Sequence, residues 1–169
     1  MEGRTITMAS GTHMARASEV EKAVENARRL LKSQGFDCET TAEELKRWFQ
    51  ADTPYDKDMK LEDILETPLI VVHELVEIDN VKRMGLVLTK NVIVENLQKV
   101  DDAHLNAAEV ELKLAVSLRD IAHIKDRLDD IKAWSEDLSV TPENRENYRK
   151  MYAKTLKALD GLAQHGSPY

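Results

Sequence analysis

The sequence predicts an all-α fold, a single-domain helical bundle built around one long central helix at about 101–137. Three observations carry that expectation. Only six Gly and four Pro punctuate 169 residues, so turns should be few. Hydrophobic residues make up 42% of the chain and aromatic residues 5%, which supplies a core that is mainly aliphatic. Apolar residues also recur every three or four positions along most of the chain, the period of a helix with one buried face.

A first helix is expected at about 16–32, where Val20, Ala23, Val24, Ala27, Leu30 and Leu31 share a face and Gly35 marks the stop. Thr41 followed by Glu44 reads as a capping box for a short helix carrying Leu45, Trp48 and Phe49. Pro68 suits the first turn of a further helix that Gly85 ends, although the β-branched residues after Pro68 also suit a strand. Residues 69–97 therefore read as helix with room for an extended connection after Leu86. The central helix rests on Val110, Leu114, Ser117, Ile121, Ile124, Leu128 and Ile131, a heptad-like seam. Thr141-Pro142-Glu143 provides an N-cap, an N1 proline and an early acid for a final helix that should end near Gly161.

Residues 1–15 read as an expression leader or disordered segment, 16–163 as one helical domain and 164–169 as a flexible tail. The leader reading comes from a stretch without helical period, in which Gly11-Thr12-His13-Met14 resembles a cloning scar. His13 is set aside on that ground.

Charge narrows the function classes. With 31 acidic against 24 basic side chains the net charge is −7, which repels phosphate backbones and argues against nucleic-acid binding. The longest apolar run, Leu69 to Val72, is far too short to cross a membrane. Cys38 is the one cysteine, so no intrachain disulfide can form, and a cytoplasmic location is expected. Its neighbours Asp37 and Glu39 disfavour a reactive thiolate.

Chemistry concentrates in two places. In His73-Glu74-Leu75-Val76-Glu77, a helix puts His73 and Glu77 one turn apart on one face, directly after four apolar residues. Carboxylates that enter a core need a partner or a metal. On the central helix Asp101, His104 and Glu111 lie near one stripe, among the small residues Ala103, Ala107, Ala108 and Ala115. The expected metal ligands are thus His73, Glu77, His104 and Glu111, with Glu74 or Asp101 as general base. Mixed nitrogen and oxygen donors suit zinc, manganese, iron or nickel. His123 follows Asp120 by three residues, but on a continuous helix it would stand about 28 Å from His104 and could not share its ion.

Short resemblances accompany these residues. His73-Glu74 resembles the start of the zinc-metallopeptidase pattern His-Glu-x-x-His, which implies a ligand and a base, with Glu77 standing where that family has its second histidine. Glu74-x-x-Glu77 is similar to half of the motif of all-α, magnesium-dependent nucleotide pyrophosphohydrolases, whose other half is a Glu-x-x-Asp pair. Asp120-x-x-His123 approximates the Glu-x-x-His pair of ferritin-like di-metal bundles. Each covers only a few residues, and none assigns a family.

The function expected from these readings is a metal-dependent hydrolase acting on a phosphate-containing or other small substrate, with Lys82, Arg83 and Lys90 near enough in sequence to offset phosphate charge. The alternative is a non-catalytic helical bundle. Its seam would complete a core or form a homo-oligomeric or protein–protein interface, and self-association is expected.

Overall fold

Every secondary-structure element is a helix among the described residues, which are 10–54 and 59–164, with side chains from residue 18 onward in this computed structural model. The elements are α1 (Ser10–Ser33), α2 (Ala42–Gln50), α3 (Leu61–Ile64), α4 (Pro68–Arg83), α5 (Val92–Glu95), α6 (Leu97–Leu118), α7 (Ile121–Glu136) and α8 (Pro142–Gln164). Of the expected leader, residues 1–9 lie outside the described residues, whereas 10–15 form the first turns of α1. Of the expected tail, 165–169 lie outside them. Helix α8 runs through Gly161 to Gln164.

Local signals explain most boundaries. Thr41 Oγ1 accepts the Glu44 amide at 3.2 Å and the Glu44 carboxylate accepts the Thr41 amide at 2.8 Å, so the capping box of α2 is complete. Pro68 opens α4 at N1. Thr141 Oγ1 caps α8 by accepting the Asn144 amide at 3.2 Å. Gly85 leaves α4 with φ +80°, a left-handed conformation that glycine adopts without steric cost. The segment after Leu86 is a connection that closes into the short α5.

Glu44 also binds Lys82 at the end of α4, with an Nζ–Oε1 distance of 2.9 Å. Burial opposes its ionisation, but the Lys82 and Thr41 hydrogen bonds outweigh it and lower its pKa. A carboxyl lowered in the folded state stabilises the fold above its unfolded pKa, and that contribution disappears as pH falls through the folded value. Glu44→Ala should therefore cost about 1 kcal/mol at neutral pH. The gap to the parent should narrow as pH falls below about 4 in urea melts. A gap that stays constant as the pH is lowered would contradict this.

The expected helix over about 101–137 is two helices. Arg119 takes φ +56°, the Asp120 amide returns to Ala115 O at 3.0 Å, and the chain reverses. Asp120 then caps α7 by accepting the His123 amide at 3.1 Å. The heptad-like spacing spans this corner by coincidence. Ser117 and Ile121, its middle members, are exposed, while Val110 and Leu114 on α6 and Ile124, Leu128 and Ile131 on α7 are buried. Because arginine occupies a left-handed position, Arg119→Gly should raise stability by about 0.5–1 kcal/mol. A denaturant midpoint that rises at unchanged slope would confirm it, and a fall would show that the Arg119 side chain makes a stabilising contact.

Pairings between helices fix their directions. His73 meets Glu111 and Asn80 meets Asn106, so α4 and α6 are antiparallel. Glu111 meets both His123 and Arg127, so the first turns of α7 fold back against α6 after the corner. Asp102 meets Asn144 and Glu109 meets Lys154, so α8 is parallel to α6. Helices α1 and α2 cover α4. The main core includes Leu31, Leu45, Leu75, Ile78, Leu114 and Ile124, and a smaller cluster gathers Leu112, Ile131, Val140 and Tyr148 between α6, α7 and α8. No helix among the described residues is long and apolar enough to cross a membrane.

Candidate metal centre

The polar centre of the bundle is organised by Glu111, whose side chain is almost completely buried on α6. An ionised carboxylate offers about four acceptor positions. All are used here. Oε2 accepts His73 Nδ1 at 2.8 Å and Arg127 Nη2 at 3.0 Å, and Oε1 accepts Arg127 Nε at 2.6 Å and His123 Nε2. Burial alone would raise the Glu111 pKa. The His123 and His73 hydrogen bonds, the charge of His73 and the Arg127 hydrogen bond instead hold it far below the usual carboxylate range. Arg127 also donates from Nη1 to Asp130 at 2.9 Å, and these partners outweigh burial to raise its own pKa. Glu111, expected as a metal ligand, therefore has no lone pair left to direct at an ion.

What Glu111 does is fix His73. In the neutral ring, a carboxylate on Nδ1 selects the tautomer protonated there and leaves the Nε2 lone pair free. That nitrogen faces Glu77 Oε2 at 3.7 Å, one turn further along α4. Glu74 completes the group, since one donor atom from each of His73, Glu74 and Glu77 lies within 4.8 Å of the others. Among the described residues no other group of three such donors meets that spacing. His73 and Glu77 are buried, whereas Glu74 retains partial exposure.

The electrostatics favour a cation. Burial, then the charge of Glu74, then that of Asp101 push the Glu77 carboxyl well above the usual range. Glu74 is raised too, because burial and the charge of Glu111 exceed the relief from His73, Arg127 and a hydrogen bond from Trp48 on α2. Ionising both carboxyls beside His73 is thus costly unless a cation offsets them.

His104, the other expected ligand, stands next to this group with one ring nitrogen engaged. Its Nδ1 lies 2.7 Å from Tyr148 Oη, and its ring meets His73 edge-on at 4.7 Å and Trp134 at 4.5 Å. Burial first, then the charges of His73 and Arg127, lower its pKa well below the usual value, so it is neutral at pH 7. Tyr148→Phe should leave a buried imidazole nitrogen unpaired and cost about 1–3 kcal/mol in a urea melt. An unchanged midpoint would mean that water or another group replaces the hydroxyl.

Asp101 is half-buried and acts on Glu77 through its charge. Lys82, Arg83 and Lys90 do not reach the centre as free cations. They pair with Glu44 at 2.9 Å, Asp79 at 2.7 Å and Asp52 at 3.8 Å.

Sequence reasoning missed Arg127 and separated His123 from the site. On one continuous helix, residues 111 and 127 would stand about 24 Å apart. Only the corner at Arg119 brings them together. The Asp120 N-cap was a readable signal for it, but no glycine marked the stop before it.

Comparison with models of protein families, with curated proteins and with solved structures finds no significant match to this chain.

Proposed function

We propose that this protein is a divalent-metal-dependent hydrolase acting on a small, phosphate-containing substrate, with His73, Glu74 and Glu77 as the metal ligands. The observation that carries this reading is the convergence of those three donors beside a histidine whose outer nitrogen is held by a carboxylate. Carboxylate–histidine–metal arrangements use the second group to orient the first and to make it a stronger donor. Relative to the set expected from sequence, Glu74 joins the ligands, Glu111 becomes the group that positions His73, and His104 packs beside it. Manganese, iron, zinc and nickel all accept such a donor set.

Three protein donors leave coordination positions for water and substrate. A bound ion would polarise a phosphoryl oxygen and lower the pKa of its water. It would also supply the positive charge that Lys82, Arg83 and Lys90 do not, since each is paired with a carboxylate. Asp101 is the remaining candidate for general base, as it carries charge toward the centre without belonging to the three-donor group.

The test is phosphate release from a panel of nucleotides and phosphate monoesters, with manganese and after chelation. The expected result is turnover that requires the ion and falls at least about 100-fold in Asp101→Asn. No turnover of any phosphate compound by manganese-loaded protein would overturn the hydrolase reading.

A second reading, a non-catalytic bundle that associates with itself, rests on Leu118 and Ile121, exposed by 52% and 39% at the α6–α7 corner. Light scattering separates the two. A dimer that Leu118→Ser/Ile121→Ser dissociates would favour assembly through that corner, and a monomer at high concentration would remove it.

A further inference from the structure

Away from the candidate metal centre, α6 and α8 leave an open groove of about 550 Å³ between them, a size that suits a small ligand. Its lining is mainly apolar, with Leu112, Val116 and Met151 among its residues. Lys113, Lys150 and Lys154 also line it, against one acidic residue, Glu109. Glu109 sits 3.5 Å from Lys113 and 3.3 Å from Lys154, so it is shared between two of the three lysines. The groove is therefore locally cationic on a chain whose net charge is −7.

We propose that this groove binds a small amphipathic anion, an acyl chain lying on the apolar floor with its acidic head at the rim where Lys113, Lys150 and Lys154 outnumber Glu109. Charge complementarity selects this occupant. A second copy of the chain, docked through the same face about a two-fold axis, would set one lysine rim against another. Lysine stems can line the apolar body while their ammonium groups meet the head. Nothing in this inference depends on a metal at His73.

Calorimetric titration of the full chain with decanoate at low salt, beside the uncharged alcohol decanol, tests it. The expected result is saturable binding with a Kd below about 1 mM, and decanol weaker by about tenfold. Lys150→Gln/Lys154→Gln should bring decanoate to the level of decanol. Ala158→Trp, which fills the groove, should remove binding of both, with circular dichroism confirming that each variant is folded. The proposal is overturned if binding is absent, or if decanol matches decanoate. Unchanged affinity in the lysine variant, or a dimer in light scattering that Ala158→Trp dissociates, would equally overturn it.

Discussion

Replacing Glu111 with glutamine is expected to cost about 3–5 kcal/mol of folding stability, the largest effect of any single conservative change considered. The variant keeps the size of the side chain but removes the charge that Arg127, itself 11% exposed, depends on. A glutamine amide also presents donors where His73, His123 and Arg127 already donate, so at least one buried N–H loses its acceptor. Urea melts of Glu111→Gln, Arg127→Met and the double variant Glu111→Leu/Arg127→Met check this. Each single change should be strongly destabilising. The double change should recover part of the loss, because neither charge is then left buried alone. A Glu111→Gln protein within about 0.5 kcal/mol of the parent would mean that the network is solvated rather than sealed.

The second large effect has opposite signs with and without metal. Glu77→Gln replaces a carboxyl whose charge is disfavoured by burial and by Glu74 and Asp101. In metal-free protein at pH 8 this substitution should raise stability by about 1 kcal/mol, since the neutral amide escapes that repulsion. With manganese the order should reverse. A ligand at 100 times its Kd stabilises the native state by about 2.7 kcal/mol, and the variant should lose most of that gain. Thermal melts of both proteins, with manganese and with chelator, give the four values needed. If Glu77→Gln destabilises the metal-free protein by 1 kcal/mol or more, Glu77 has a protein partner that relieves its charge. If manganese shifts both proteins equally, Glu77 is not a ligand.

Much of the fold was legible because its signals are local. The Thr41–Glu44 box, Pro68 at N1, Thr141 before Pro142 and the left-handed glycines at 35 and 85 all act within a turn of themselves. The corner at Arg119 was not legible in the same way. There the left-handed position is filled by a residue with no preference for it, and exposed Ile121 continued the apolar spacing across the break. One missed reversal then altered the reading of the site. His73, Glu74 and Glu77 were recoverable because i, i+1 and i+4 positions on one helix lie close whatever the tertiary fold. The roles of Glu111, His123 and Arg127 depend on two helices doubling back, which spacing on a single assumed helix could not reveal.

Burial also decided which sequence candidates remained as donors. His104 and Glu111 lie on the expected face of α6, but His104 Nδ1 is taken by Tyr148 and both Glu111 oxygens by His73, His123 and Arg127. In the sequence Glu74 is a candidate general base beside the expected ligands, a role that the resemblance to His-Glu-x-x-His also implies. Its place among the three converging donors comes from the distance to His73 and Glu77.

The most direct test of the central claim is manganese binding by metal-free, untagged protein, followed by calorimetry and by the electron paramagnetic resonance of free manganese. The account predicts about one ion per chain, lost in His73→Ala and in Glu77→Gln and kept in the surface variant Glu109→Gln. No uptake of manganese, zinc, iron or nickel by the parent would contradict it. So would full uptake by Glu77→Gln, and the polar centre would then be a buried ion-pair network alone.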